Sequence, residues 1–165
     1  MVAHMQDTTT GRVQVTATNV AARESWSAGN SLTFASLPLQ YGGQLGPVTL
    51  AYETWGTLNA EGTNAILITH ALTGNAHAHD AEHPDDPKAA WWNPLIGPGR
   101  PFDTTRYFVI CSNVLGGCYG STGPAALDPE TGRSYGMRFP VFTIRDMVRG
   151  QHRLVEYLGV RQLMV

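Results

Sequence analysis

From Leu32 onward the apolar residues fall into short blocks separated by turns rich in glycine and proline. Leu32, Phe34 and Leu37, then Leu39 and Tyr41, predict an extended segment. Residues 41–47 (YGGQLGP) have turn chemistry, and Val48–Trp55 alternates as the hairpin partner should. Residues 65–69 and 107–111 are short, continuous apolar runs, the pattern of strands covered on both faces. One stretch has a clear helical period. Ile144, Met147, Val148, Val155 and Leu158 recur at helical spacing behind Thr143, an N-cap residue with Asp146 three positions on. Gly159 stands where a C-terminal cap belongs, and Val160 to Val165 begin a further strand. Strand, loop, strand, loop, helix, strand is the rhythm of an α/β fold with a largely parallel sheet.

Residues 1–30 carry few large apolar groups among many Thr, Ala, Ser and Asn. Such a segment cannot bury enough surface to offset chain entropy, so a disordered arm is expected there. Residues 31–165 then form one domain, with long connections over 70–106 and 113–140 that belong to function rather than scaffold. Composition narrows the options. A net charge of −2 gives no broad basic face, which argues against nucleic acid and anionic membrane as partners. The apolar runs are far too short to cross a bilayer, and no basic-then-apolar leader opens the chain. A cytoplasmic setting follows, with Cys111 and Cys118 as free thiols.

His70-Ala-Leu-Thr-Gly74 directly follows a buried strand. Ligand crevices of α/β sheets lie at the carboxyl ends of strands, where a small turn can aim backbone N–H groups into a site. An ordinary tight turn with His70 bonded in place reads equally well from spacing alone. His77, His79 and His83, interleaved with Asp80 and Glu82, form a second candidate, a metal-dependent hydrolase. Their spacing departs from the pattern of metallo-β-lactamase-like enzymes, so a solvated polar loop is the plainer reading. Residues 116–123 (GGCYGSTG) invite comparison with phosphate loops but lack the lysine and the following helix. Cys118 has no assignable base, Trp91-Trp92 read first as packing, and Arg145, Arg149 and Arg153 as a solvated helix face.

Several segments together resemble the homoserine O-acetyltransferase family, acyl-CoA-dependent enzymes of α/β-hydrolase fold. They are Ala51-Tyr-Glu-Thr-Trp-Gly56, His70–Gly74, Trp91-Trp92, Leu95-Ile-Gly-Pro-Gly99, residues 108–124, Phe139-Pro-Val and Thr143-Ile-Arg-Asp-Met147. The similarity runs from about Leu37 to the end. It implies the N-terminal part of an α/β-hydrolase fold, mostly parallel with an N-terminal antiparallel hairpin, and incomplete. It also implies ping-pong acyl transfer from acetyl-CoA to L-homoserine by a Ser-His-Asp triad, in methionine biosynthesis. The Leu72 N–H becomes an oxyanion donor by the same resemblance. Ala71, Thr73, Gly74 and Asn113 shape the substrate pocket, acetyl-CoA is a co-substrate with no further cofactor or metal, and the full-length enzyme is a homodimer. Succinyl-CoA as donor and serine as acceptor stay open.

No serine of the chain stands on a strand-to-helix nucleophile elbow. Ser112 and Ser121 lack the flanking glycines of Gly-x-Ser-x-Gly, Ser134 has them in Gly132 and Gly136 but lies in the Gly- and Pro-rich 113–140 connection, and the strand opening at Leu163 is where the elbow would follow. The resemblance therefore puts the catalytic Ser, Asp and His beyond Val165. Residues 1–165 alone are expected to be inactive and poorly soluble.

Overall fold

The computed structural model describes residues 29–164. Six strands and one α-helix follow in chain order: β1 (Asn30–Phe34), β2 (Leu37–Pro38), β3 (Gln44–Leu45), β4 (Val48–Trp55), β5 (Ala65–Ile68), β6 (Phe108–Ser112) and α1 (Ile144–Tyr157). The unstructured arm expected over 1–30 lies outside the described residues, apart from Gly29 and from Asn30, which opens β1.

The main sheet has the order β1-β4-β6-β5. β1 pairs antiparallel with β4, from Asn30 opposite Tyr52 to Phe34 opposite Val48. β2 and β3 make a separate two-stranded hairpin with its turn at residues 39–43, so the segment read as a turn over 41–47 contains β3. β4 pairs antiparallel with β6, and β6 pairs parallel with β5 in register from Ala65 opposite Phe108. The largely parallel sheet read from the sequence is thus confined to one side. Parallel neighbours need a crossover, and residues 69–107 supply the one between β5 and β6. A second crossover runs through α1 and returns Leu163 beside Ala65 in a parallel bridge. Of the strand expected from Val160 to Val165, the described residues show that bridge and no longer ladder. Val165 itself lies outside the described residues.

β6 shows why its sequence is apolar throughout. Ile110 enters a core with Leu32, Phe34, Leu50, Tyr52 and Leu154, on the α1 side. Val109 and Cys111 face the other way, joining Ile66, Ile68, Ala76, Ala78 and Ile96. The first core is closed by the helix and the second by the loop that follows β5, so the two faces need no polar side chains. Ala51, Glu53 and Trp55 alternate along β4 on the loop-covered face, which makes Glu53 the one acid among them.

α1 begins with a full capping box. Asp146 N–H donates to the Thr143 hydroxyl at 3.3 Å, and Thr143 N–H donates to the Asp146 carboxylate at 2.8 Å. The buried line on the helix passes through Gly150 and Leu154, flanked by Met147, Val155 and Leu158. Ile144 and Val148, read as core from their spacing, are instead exposed (72% and 54%), because the contact stripe falls one position further round. At Gly150 the helix packs on Leu50, whose Cδ1 lies 3.5 Å from where a Cβ would be, an ordinary contact. Of the arginines assigned to the solvated face, Arg153 lies over the Phe34 ring at 4.9 Å and Arg149 pairs with Asp146 at 3.1 Å.

Asp146 is fully buried and also accepts from Gln40 N–H at 2.9 Å, tying the helix start to the β2–β3 hairpin. Burial pushes its pKa up, but the hydrogen bonds from Thr143 and Gln40 and the Arg149 charge outweigh it and hold the carboxyl below its ordinary value. A depressed pKa contributes stability above the ordinary carboxylate range, lost as pH falls through the folded value. Asp146→Ala is expected to lower unfolding free energy by about 2–3 kcal/mol at pH 7, and by less in mild acid. Urea denaturation at pH 7 and pH 3.5 checks this. Equal losses at both pH values would contradict it.

Candidate active site

The loops that follow β5 and β6 meet at the carboxyl ends of those parallel strands. The first contains a β-turn closed by Gly74 N–H donating to Ala71 C=O at 2.8 Å, with Leu72 and Thr73 at its centre. His70 folds the entry to this turn. Its Nδ1 lies 2.7 Å from Ala71 C=O, and Val114 N–H donates to its Nε2 at 3.2 Å. Those partners fix the neutral Nδ1–H tautomer. Gly74 is small for a reason: a Cβ there would lie 3.1 Å from His70 Cβ and 3.2 Å from Ala71 O. The Leu72 side chain is 96% exposed, and its N–H makes no hydrogen bond among the described residues.

Asn113 is the hub between the two loops. Only 1% exposed, it accepts from Ala76 N–H at 2.6 Å through Oδ1 and donates to Tyr119 C=O through Nδ2. Its own N–H continues the β4–β6 ladder by donating to Ala51 C=O at 2.8 Å. Ser121 Oγ accepts from Ala51 N–H at 3.0 Å and donates to Asn113 C=O at 2.8 Å. Thr122 repeats the pattern on Thr49, whose N–H donates to Thr122 Oγ1 at 2.8 Å. The 113–122 loop is therefore bonded to the same strand that carries Glu53.

His70, Leu72, Gly74, Asn113, Val114, Gly117, Cys118 and Tyr119 line a cleft of about 40 Å³. Ligand-enclosing pockets are roughly ten times larger, so these residues form a shallow wall that encloses no ligand by itself. Leu72, Gly74 and Asn113, named from the sequence, are brought together here. Ala71 and Thr73 belong to the same turn and are exposed. Asn113 uses both polar side-chain atoms on backbone groups, which makes it a support of the wall.

The histidine run is split among separate tasks. His77 Nδ1 meets the Glu53 carboxylate at 3.1 Å, and His83 Nδ1 meets Asp80 at 3.1 Å. His79 is buried, edge-on to Trp55 with ring centroids 6.0 Å apart. The hydrogen bond that His77 donates to Glu53 raises the His77 pKa, whereas burial lowers that of His79. Among the described residues no three His, Cys, Asp or Glu side chains converge as a metal site. The zinc-hydrolase reading fails on those divergent partners, and the solvated-loop reading is corrected at His77 and His79. Trp91 and Trp92 pack on each other at 5.0 Å, Trp92 stacks on Phe102 at 5.5 Å, and Trp91 Nε1–H donates to Asn75 C=O at 3.0 Å.

No described residue offers a nucleophile in working order. Ser112 is buried against Gln151, Ser121 is spent on the ladder, and Ser134 is an exposed loop residue. Both cysteines are free. Burial, with the Glu53 charge adding to it, pushes the Cys111 thiol up to about 12, far from a reactive thiolate. The Ser, Asp and His expected beyond Val165 fall outside the described residues, as does Val165.

No family model matches the chain. Curated relatives do. Homoserine O-acetyltransferase of Moorella thermoacetica is 61% identical over 127 residues, 77% of this chain and 34% of the relative. That of Carboxydothermus hydrogenoformans is 56% identical over 133 residues, 81% of this chain and 35% of the relative. Over most of its length the chain is similar to homoserine O-acetyltransferases. It spans about a third of the length of the curated relatives it matches. Among solved structures, homoserine O-acetyltransferase from Bacillus anthracis superposes with a TM-score of 0.74 at 38% identity, covering 81% of this chain and 37% of that one. Esterase E22 is nearly as similar, with a TM-score of 0.73 at 37% identity over 81% of this chain and 38% of its own. The α/β-hydrolase fold of these neighbours is therefore present here in part, and the β5–β6 wall is a part of it.

Sequence reasoning missed the pairing of Glu53 with His77 and the place of Ser121 in the ladder, whereas Trp91 and Trp92 pack as their sequence suggests. Glu53 alone left a trace, as an acid in the alternation of β4.

Proposed function

We propose that the protein to which these residues belong is a homoserine O-acetyltransferase. In this reading a serine beyond Val165 attacks the acetyl thioester carbonyl, histidine takes its proton, and coenzyme A leaves as the thiol. The hydroxyl of L-homoserine then attacks the acyl-enzyme, giving O-acetyl-L-homoserine and the free serine. Leu72 N–H is one donor to the oxyanion of each tetrahedral intermediate, and Ala71, Thr73, Gly74 and Asn113 belong to the substrate wall or its support. The observation that carries the reading is the unbonded Leu72 N–H, held in a β-turn at the carboxyl end of β5. A cytoplasmic location, a homodimer, and acetyl-CoA as co-substrate without a further cofactor are parts of the same proposal.

The esterase among the solved neighbours favours a second reading, in which water replaces homoserine as acceptor. Purified full-length protein with acetyl-CoA distinguishes them. Homoserine-dependent thiol release and mass-spectrometric O-acetylhomoserine support the transferase. Release at the same rate without homoserine supports the hydrolase, and serine or succinyl-CoA in place of either substrate defines specificity. Residues 1–165 alone are expected to give no acyl transfer above background, since a triad with a missing member loses several orders of magnitude in rate. Acetyl transfer by that chain would overturn the assignment of the nucleophile elsewhere.

A further inference from the structure

We infer that Glu53 and His77 form a positioning pair that sets where the Leu72 N–H stands and makes that position depend on pH. The inference rests on the reading of Leu72 as an oxyanion donor. His77 Nδ1 spans both carboxylate oxygens of Glu53, at 3.3 and 3.1 Å, and the two side chains are only 24% and 16% exposed. Glu53 extends from the middle of the sheet, opposite Cys111 in the β4–β6 ladder. His77 lies three residues beyond the turn. Between them, Asn75 Oδ1 accepts from His77 N–H at 3.0 Å and Ala76 N–H is held by Asn113. The turn therefore hangs between two anchors, His70 on Val114 upstream and His77 on Glu53 downstream. Three residues of bonded backbone leave little slack for the downstream anchor to move without the turn.

The charged groups around the pair define its response. Glu53 faces His77 from β4, Cys111 faces Glu53 from β6, and Asp80 and His79 belong to the loop itself. The Cys111 thiol stays neutral throughout the working range. Glu53, with a smaller contribution from Asp80, favours imidazolium, so His77 keeps its proton above the ordinary histidine value. A raised pKa means the ion pair is complete below the ordinary value and is lost as pH rises through the raised one. The anchor therefore loosens on the alkaline side. A triad histidine, which must be neutral to act as base, loses activity on the acid side instead. The two limbs of the rate profile thus have separate origins.

The test uses full-length protein and compares wild type with Glu53→Gln and His77→Asn. Homoserine-dependent kcat is expected to fall roughly tenfold in each, with KM for homoserine within about twofold, because an oxyanion contact matters only in the transition state. The alkaline limb is expected to vanish from both variants while the acid limb stays. A purely structural role would lower the melting temperature without altering the split or the limb. Amide exchange of residues 70–78, corrected for intrinsic pH dependence, supplies a readout that needs no activity. It is expected to speed up in Glu53→Gln and, in wild type, above the His77 pKa. Wild-type exchange rates in a folded Glu53→Gln, or an unchanged alkaline limb, would overturn the inference. A wild type with no acetyl transfer but the expected exchange behaviour would instead remove the acyltransferase reading and leave the anchor standing.

Discussion

Leu72→Pro in the full-length enzyme is expected to lower kcat by about 10²–10³-fold with little change in either KM. Proline suits this position. Leu72 is the second residue of the 71–74 turn, where proline's fixed φ is favoured, and its N–H makes no hydrogen bond among the described residues. The side chain is almost wholly exposed, so no core contact is lost either. What disappears is one donor aimed where negative charge develops. Leu72→Ala keeps that donor and is expected to lose at least tenfold less than the proline variant. Steady-state kinetics on both, with melting temperatures alongside, decide the matter. Equal kcat for the two variants would show that the N–H is not an oxyanion donor.

Asn113→Leu is expected to have the second largest effect, on stability and rate together. The substitution keeps approximate volume while removing the acceptor of the fully buried Ala76 N–H and the donor to the part-buried Tyr119 C=O. An unmatched buried group is worth about 1–3 kcal/mol, so a loss of about 2 kcal/mol in urea unfolding is anticipated. Both loops of the wall also lose their common support, and kcat is expected to drop roughly a hundredfold, since small misplacements are costly to transition-state contacts. Asn113→Asp keeps an acceptor for Ala76 but sets an anion against the Tyr119 carbonyl, and so should not rescue. Near-normal stability and rate in Asn113→Leu would contradict the hub assignment.

The strands and helix are readable from sequence because their signals are local. The glycines that turn the chain at 42–43, the apolar runs at β5 and β6, and the Thr143 cap with Gly159 each follow from nearest-neighbour chemistry. Ile144 and Val148 mislead because helical spacing alone allows several stripes. Which one is buried depends on where Leu50 and the β2–β3 hairpin stand. The turn after β5 is legible as a candidate, since chain order puts it at the carboxyl end of a buried strand. Its supports are not. Glu53 lies 24 residues from His77, and Asn113 lies 37 from Ala76. No periodicity connects such partners before the sheet order is known. The histidine run shows the converse. Its dense spacing suggests one site, yet burial and the neighbours of each ring scatter its members among three different jobs.

Ser121 carries a consequence beyond its place beside Asn113. Its hydroxyl is spliced between Ala51 N–H and Asn113 C=O, where β4 and β6 would otherwise part with two loose ends. Thr122 then clips to Thr49 two residues further along. The strand edge is hemmed by side chains borrowed from the loop. Peeling that loop away would unzip part of the sheet's own ladder. The segment behind the wall is therefore as stiff as the strand it is stitched to, and fine adjustment is left to the turn that carries Leu72.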